Sequence, residues 1–370
     1  MTRKLFRSPF RSLRLCVKPL FTNLKPYVIR TSKIAAQPKT AVCRQILRYN
    51  RYMSLAVNTF MFRLLSITAL LLVISISAFA QGTKPAAAKY RIVTISTQPS
   101  SGVWIDGVKY GTTDKTGRLT IRTVSAGGHT IRVRSDGFKE KIQPLTATQK
   151  GEIKIDLVKA TDEAELSFQE AERLLSVDRD QAVDAYTKAI KLRPNYPDAY
   201  VAMARVLTEL GDLDEAGTAI ASARKLRPGF AEASAVLGRI YKESGEEDKA
   251  IASFKRAITE GKGFQPEAYA GLGLLYKEKA EGFGGSGDFE NESLNYVESA
   301  KYLKSAVKQL AGAPDAMIIM QLLGLVYERE KKYAEAIAVY QEFLAIFPNS
   351  VEATAVRSFI VQLKKDLADQ

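Results

Sequence analysis

Small and large apolar residues recur through the C-terminal half of the chain at one fixed interval. Ala182, Ala216 and Ala250 stand 34 residues apart, as do Ala189, Ala223 and Ala257, and Tyr186, Ile220 and Phe254. Gly211 and Gly245 keep the same spacing. A constant period of this length marks a stack of like units, each burying its apolar face on the next. Within 197–230, Tyr200, Met203, Ala204 and Leu207 fall at i, i+3, i+4 and i+7, one face of a helix. Gly211 can take the left-handed conformation that ends a helix. Ala216, Ile220 and Ala223 mark a second helix, and Pro228 forbids its continuation. The alanines let the two helices approach, and the larger residues fill the space between neighbouring pairs.

Ahead of the repeats the period changes from helical to alternating. Arg91–Thr97 alternates strand formers, and Val103-Trp104-Ile105 meets Asp106-Gly107, a strong hairpin signal, before Val108-Lys109-Tyr110. Further strands are expected at 119–124, 129–133, 139–145 and 152–157. Residues 90–158 therefore read as a small all-β sandwich. Further upstream, Arg63 precedes an apolar run of 17 residues, Leu64–Ala80, that closes on Ala78-Phe79-Ala80. A positive start, an apolar core and a small-residue cleavage site predict a secretory signal peptide at 61–80. The run is shorter than the ~20 residues of a spanning helix, and no cysteine follows it to accept a lipid. The expectation is export to the periplasm or cell envelope, with membrane anchoring only if the segment stays uncleaved. Residues 1–60 are expected to be a misassigned start or a disordered extension, with an Arg-rich transit peptide as an alternative, and 81–89 a linker.

The 34-residue pattern resembles the tetratricopeptide repeat. Its marks return as Leu237, Gly238, Tyr241, Gly245, Ala250, Phe254 and Ala257, again as Tyr269, Leu272, Gly273 and Tyr276, and finally as Leu323, Gly324, Tyr327, Ala336, Tyr340, Phe343 and Pro348. The resemblance implies about five units over 163–350, the first and fourth irregular, with a closing helix at 351–367. Residues 280–295, rich in Gly, Glu and Asn, read as an inserted loop. The β module resembles the PEGA domain. It carries Gln98-Pro99-Ser100-Ser101-Gly102-Val103, Ile105-Asp106-Gly107, Gly111-Thr112-Thr113, Ala126-Gly127-Gly128-His129 and Gly137-Phe138, though Ser100-Ser101 replace the middle of the naming tetrapeptide. A transthyretin-like sandwich is the alternative fold. The expected fold class is thus a small all-β sandwich followed by an all-α solenoid.

Charge sharpens this division. The formal net charge is +14, yet residues 1–80 hold 14 Lys+Arg and no acid. The remainder balances: 81–160 carries +8 and 161–370 carries −8. The basic total therefore does not imply a nucleic-acid partner. A basic β module can meet an anionic envelope polymer or lipid, dock on its own acidic repeats, or simply keep the surface solvated. Both cysteines, Cys16 and Cys43, precede residue 81, so a chain cut at Ala80 has no thiol and no disulfide. His129 is the only histidine, which leaves little for a His-based metal site or a Ser-His-Asp triad. Gly282–Gly287 has glycines but lacks the Lys-Ser/Thr of a phosphate loop and reads as a flexible insertion. No cofactor and no catalytic residue are expected.

Two binding surfaces remain. The tetratricopeptide resemblance implies that first helices line a concave groove for peptides. By position this groove would take Asp198, Val201, Arg205, Thr208 and Glu209, then Glu232, Ala235, Arg239, Lys242 and Glu243, then Glu267, Ala270, Leu274, Lys277 and Glu278. Arg205, Arg239, Lys242 and Lys277 would form a basic line, able to hold an acidic or C-terminal peptide because arginine grips a carboxylate through two bonds. The alternative is that they pair with Glu209, Glu243 and Glu278. The second surface is Trp104, exposed if Val103 and Ile105 face the core, which with Tyr110 could stack on a sugar; the alternative is that Trp104 packs on a sheet edge or on the repeat domain.

Overall fold

The computed structural model describes residues 90–370; the expectations for 1–60, 61–80 and 81–89 lie outside them. The described residues belong to one compact unit. Seven strands come first: β1 (Tyr90–Ser96), β2 (Gly102–Ile105), β3 (Val108–Thr112), β4 (Arg118–Ser125), β5 (His129–Arg134), β6 (Lys141–Leu145) and β7 (Gly151–Lys154). One sheet has the order β4-β1-β7, with β1 antiparallel to β4 and parallel to β7; the other has the antiparallel order β3-β2-β5-β6. Alternate residues from both sheets, among them Val93, Ile95, Val103, Ile105, Ile121, Ile131 and Val133, close a single core. Asp106 and Gly107 both have positive φ, 50° and 84°, so the β2–β3 turn twists as a tight hairpin requires. Pro144, which cannot donate to a ladder, sits in the edge strand β6.

Eleven helices follow among the described residues. They are α1 (Glu163–Leu174), α2 (Arg179–Leu192), α3 (Pro197–Leu210), α4 (Leu213–Leu226), α5 (Ala231–Glu243), α6 (Glu247–Glu260), α7 (Pro266–Gly285), α8 (Phe289–Leu310), α9 (Ala316–Arg329), α10 (Tyr333–Ile346) and α11 (Ala353–Ala368). They stack as five pairs and a final helix. The 34-residue alanines, Ala182, Ala216 and Ala250, are fully buried, as are Ala189, Ala223 and Ala257. Small residues on first helices seat large ones from second helices. A Cβ on Gly238 would stand 2.6 Å from the Phe254 ring, and one on Gly324 would stand 2.3 Å from Tyr340. Gly211 ends α3 with φ of 92°, as its position suggests.

The structure corrects the reading of 280–295 as a loop and of Gly282–Gly287 as flexible insertion. Residues 280–285 continue α7, and 289–295 are the first turns of α8. Tertiary packing outweighs the poor helix propensity of glycine here. Ala280 is fully buried against a cluster containing Tyr296 and Ala300, so the extra residues lengthen a helix pair. The turn between them is capped by Asp288, which accepts from the Asn291 amide at 3.1 Å.

The two parts meet at two footholds. At the first, Gln169 of α1 is buried and accepts from Gly137 N at 2.8 Å, while its own amide donates to Phe138 O at 2.8 Å. Arg134 lies 4.6 Å over the Phe168 ring and pairs with Glu140 and Glu172. Burial alone would lower the Arg134 pKa, but those carboxylates more than offset it and hold the guanidinium charged. At the second foothold, Val108 packs with Leu310, Ala313 and Ala316, and the Tyr110 hydroxyl donates to Leu310 O at 3.3 Å. Burial first, then the Asp106 charge, pushes the Tyr110 phenol up to about 12, so it remains a donor. The basic module thus docks on its own acidic repeats.

Candidate functional site

Between the footholds the module faces the inner side of the array across a cleft of about 500 Å³. From the module it is lined by Trp104, Asp106, Lys109 and Arg132; from the repeats by Arg205, Glu232, Glu267, Ala270, Ile318 and Ile319. The repeat residues come from the first helices α3, α5, α7 and α9, which present a row of positions one unit apart.

The charges on that row are matched to one another. Arg205 donates from two nitrogens to the Glu267 carboxylate at 2.6 Å each, and reaches Glu232 at 3.1 Å. Burial would lower the Arg205 pKa; Glu267 and Glu232 reverse the sign and raise it. Arg239 meets Glu209 at 3.3 Å, which also meets Arg179 at 3.3 Å. Lys242 stands 3.1 Å from Glu278 and 3.7 Å from Glu243, and Lys277 pairs with Glu281 at 2.7 Å. The pairs at Arg205, Arg239 and Lys242 cross between repeats, so they form a ladder along the groove. Arg205 pairs with Glu232 and Glu267, and not with the glutamates expected from spacing alone. Val201, Thr208 and Ala235 also occupy groove positions by spacing, yet they are buried between helices.

On the module, Val103 and Ile105 do face the core, so strand alternation turns Trp104 to the opposite face, where it is half-buried and not exposed as expected, because Lys109 and Arg132 lie against it. Register then decides its neighbours: Trp104 pairs with Lys109 on β3 and with Arg132 on β5. The Arg132 guanidinium lies 4.7 Å from the centre of the indole, and the Lys109 ammonium lies 5.4 Å from it. The ring folds over Gly102, where an added Cβ would meet it at 2.5 Å. Tyr110 has different surroundings, packing against the sandwich core and Leu310. The structure does not bring Trp104 and Tyr110 together as one stacking platform.

His129 sits between Asp106 and Ser125. Its Nδ1 is 2.6 Å from Asp106 Oδ2, and its Nε2 is 3.1 Å from the Ser125 carbonyl and 3.3 Å from the Ser125 hydroxyl. Asp106 also accepts from Thr130 N at 2.7 Å. The three residues line up in the order of a hydrolytic triad. Nε2 faces a carbonyl oxygen as closely as the hydroxyl, however, and the ring braces the hairpin turn against β4. Among the described residues no cluster of His, Cys, Asp or Glu could hold a metal ion, and no helix is long and apolar enough to cross a membrane.

Position and spacing did not single out Lys109, Arg132 and Ile318. The first two were legible in principle, since Ile131 and Val133 face inward and so Arg132 must face outward. What sequence cannot supply is the strand register that sets Arg132 on Trp104, or the docking that sets both opposite Ile318.

Comparison with known proteins agrees with this architecture. Family models for the tetratricopeptide repeat match residues 173–225, and 201–266 with 292–351; the PEGA domain model matches 90–161. Residues 267–291, where the helix pair is lengthened, fall outside the matched repeats. No curated protein matches. Among solved structures, the MamA protein is 20% identical over 53% of this chain and 96% of its own, with a TM-score of 0.37. TTC0263, a thermophilic TPR protein of Thermus thermophilus, is 18% identical over 55% of this chain and 99% of its own, with a TM-score of 0.39. Yeast Tom70 is 17% identical over 56% of this chain and 41% of its own, with a TM-score of 0.45. At such identities the likeness concerns fold alone. Tetratricopeptide arrays present extended concave surfaces to protein partners.

Proposed function

We propose that this chain, in which tetratricopeptide repeats follow a PEGA domain, is an exported, non-enzymatic adaptor that holds a peptide segment of a partner protein on its inner face. The observation that carries the reading is the preformed cleft between Trp104 and Ile318, built from both domains. A surface already in its binding shape avoids much of the ordering cost of association. The charge ladder contributes by fixing the groove side chains, so a partner meets Arg205, Arg239 and Lys242 at set positions beside Glu209, Glu243 and Glu278. Export follows from the signal-like segment 61–80 and would place the partner in the envelope.

The test is a cross-linked pull-down from the native envelope, with the chain from Gln81 as bait beside an Arg205→Glu/Arg239→Glu double variant of unchanged fold by circular dichroism. A defined protein captured by the first and lost from the second supports the groove. Capture unaffected by the reversal would move the contact elsewhere on the molecule. Recovery of envelope polymer alone would replace the adaptor reading with attachment through the basic module.

A further inference from the structure

The cations of the two sides of the cleft are treated differently. Each repeat cation that the spacing put in the groove is held by a carboxylate: Arg205, Arg239, Lys242 and Lys277 all have one. Lys109 and Arg132 of the module have none among the described residues. Arg132 Nε is buried and lacks a hydrogen-bond partner. Three of the acids that line the cleft are already engaged. Asp106 accepts from His129 and Thr130, while Glu232 and Glu267 accept from Arg205. Asp315, at the start of α9, stands on the opposite wall with Ile318.

We propose that this corner receives the C-terminal carboxylate of a partner peptide whose last side chain is apolar. The inference rests on the adaptor reading and names the contact. The Arg132 guanidinium lies over the Trp104 indole and none of its donors meets an acceptor among the described residues, so its two Nη groups can take a two-bond grip on a carboxylate. Lys109, opposite Trp104 on β3 and 5.4 Å from the ring centre, adds a second positive charge. Across the cleft Ile318 is 69% exposed and continues into Ile319 and Ala270, an apolar wall for the last side chain. Asp315 on that wall repels further negative charge, which favours a single terminal carboxylate over an acidic tract. The contact to the terminal carboxylate therefore lies on the β module, apart from the ladder of the repeats.

A display library of random heptapeptides with free C-termini, selected on the chain from Gln81, tests this; that chain contains all the described residues, 90–370, which belong to one compact unit. The expected result is enrichment of peptides with an apolar last residue. A synthetic version of the leading peptide should lose at least about tenfold in affinity on C-terminal amidation, and as much on Arg132→Ala, the loss of one charge-assisted contact. Arg132→Lys should recover part of it, and Arg173→Ala, at an exposed cation of α1 outside the cleft lining, should change it little. Lys109→Ser, on an exposed strand position, gives a second reading if Arg132→Ala unfolds. No enrichment, binding indifferent to amidation, or binding indifferent to both Arg132 and Lys109 would each overturn the proposal. An empty selection alongside a partner captured from the envelope and lost on reversing Arg205 and Arg239 would sink this inference and leave the adaptor reading standing.

Discussion

The β module and the repeats build their interiors in opposite ways. The module has one closed core, in which Val93, Ile131 and Leu145 come from three strands in two sheets and share neighbours. The repeats have a series of small clusters, each joining one helix pair to the next. Phe168, Tyr186 and Tyr196 form one, Val201, Ile220 and Val236 another, Phe254 and Leu272 a third. A closed core fails as a whole, whereas a linear stack fails by segment, because its stability is a sum over neighbours. A binding surface made from both parts inherits both behaviours: a firm module face and a groove that can loosen locally.

The largest effects should come from truncating each kind of core. Phe254→Ala is expected to cost about 3–5 kcal/mol and Ile131→Ala about 2–5 kcal/mol. Hydrogen exchange separates them: the first should raise exchange chiefly in α5 to α7, the second throughout the sandwich. Equal loosening of the sandwich by Phe254→Ala would show the array to be no more segmental than the module. Next come the seats of the large side chains. Gly238→Ala and Gly324→Ala press on Phe254 and Tyr340 and should cost about 1–3 kcal/mol each by denaturant unfolding. Gly217 in α4 meets nothing within 4 Å, so Gly217→Ala should instead stabilise by about 0.5–1 kcal/mol.

The link between the regions is tested by Gln169→Ala, which leaves Gly137 N and Phe138 O unpaired and should cost about 1–3 kcal/mol. Protection of the Gly137 amide should fall while the Leu310 foothold keeps its protection. Acid should give the smallest effect. Asp162 is held below the usual carboxylate range first by the Glu165 amide and then by Arg193, and Glu152 by Arg118. Each lowered pKa favours the fold fully above the ordinary carboxylate range and is lost as pH falls through the lowered value. Asp162→Asn and Glu152→Gln should flatten that part of the stability–pH profile, lowering stability slightly at neutral pH and leaving acid pH little changed.

Much of this was legible before any coordinates. Ala182, Ala216 and Ala250 announced the stack because burial repeats only if spacing does. Asp106-Gly107 announced the hairpin because few residues accept two positive φ values in succession. The lengthened α7 and α8 were not legible, since Gly282, Gly284 and Gly285 argue locally against helix and only Ala280 packing with Tyr296 reverses that. The site was half legible. Arg205 stood where groove spacing put it, but its bond to Glu267, 62 residues on, depends on the superhelical rise of two further repeats. The Trp104–Arg132 stack depends on strand register, which hydrophobic alternation constrains only to the correct face.

The two footholds also bear on how such a protein can evolve. A free-ended solenoid gains or loses units readily, since each new repeat meets only its neighbours. Here Gln169 near one end and Leu310 toward the other are both fastened to a rigid sandwich of fixed width. Inserting or deleting one 34-residue unit between them would move one foothold by a full helix pair while the sandwich kept its span. The module thus acts as a gauge, and the repeat number between α1 and α8 becomes a quantity that selection cannot change one step at a time.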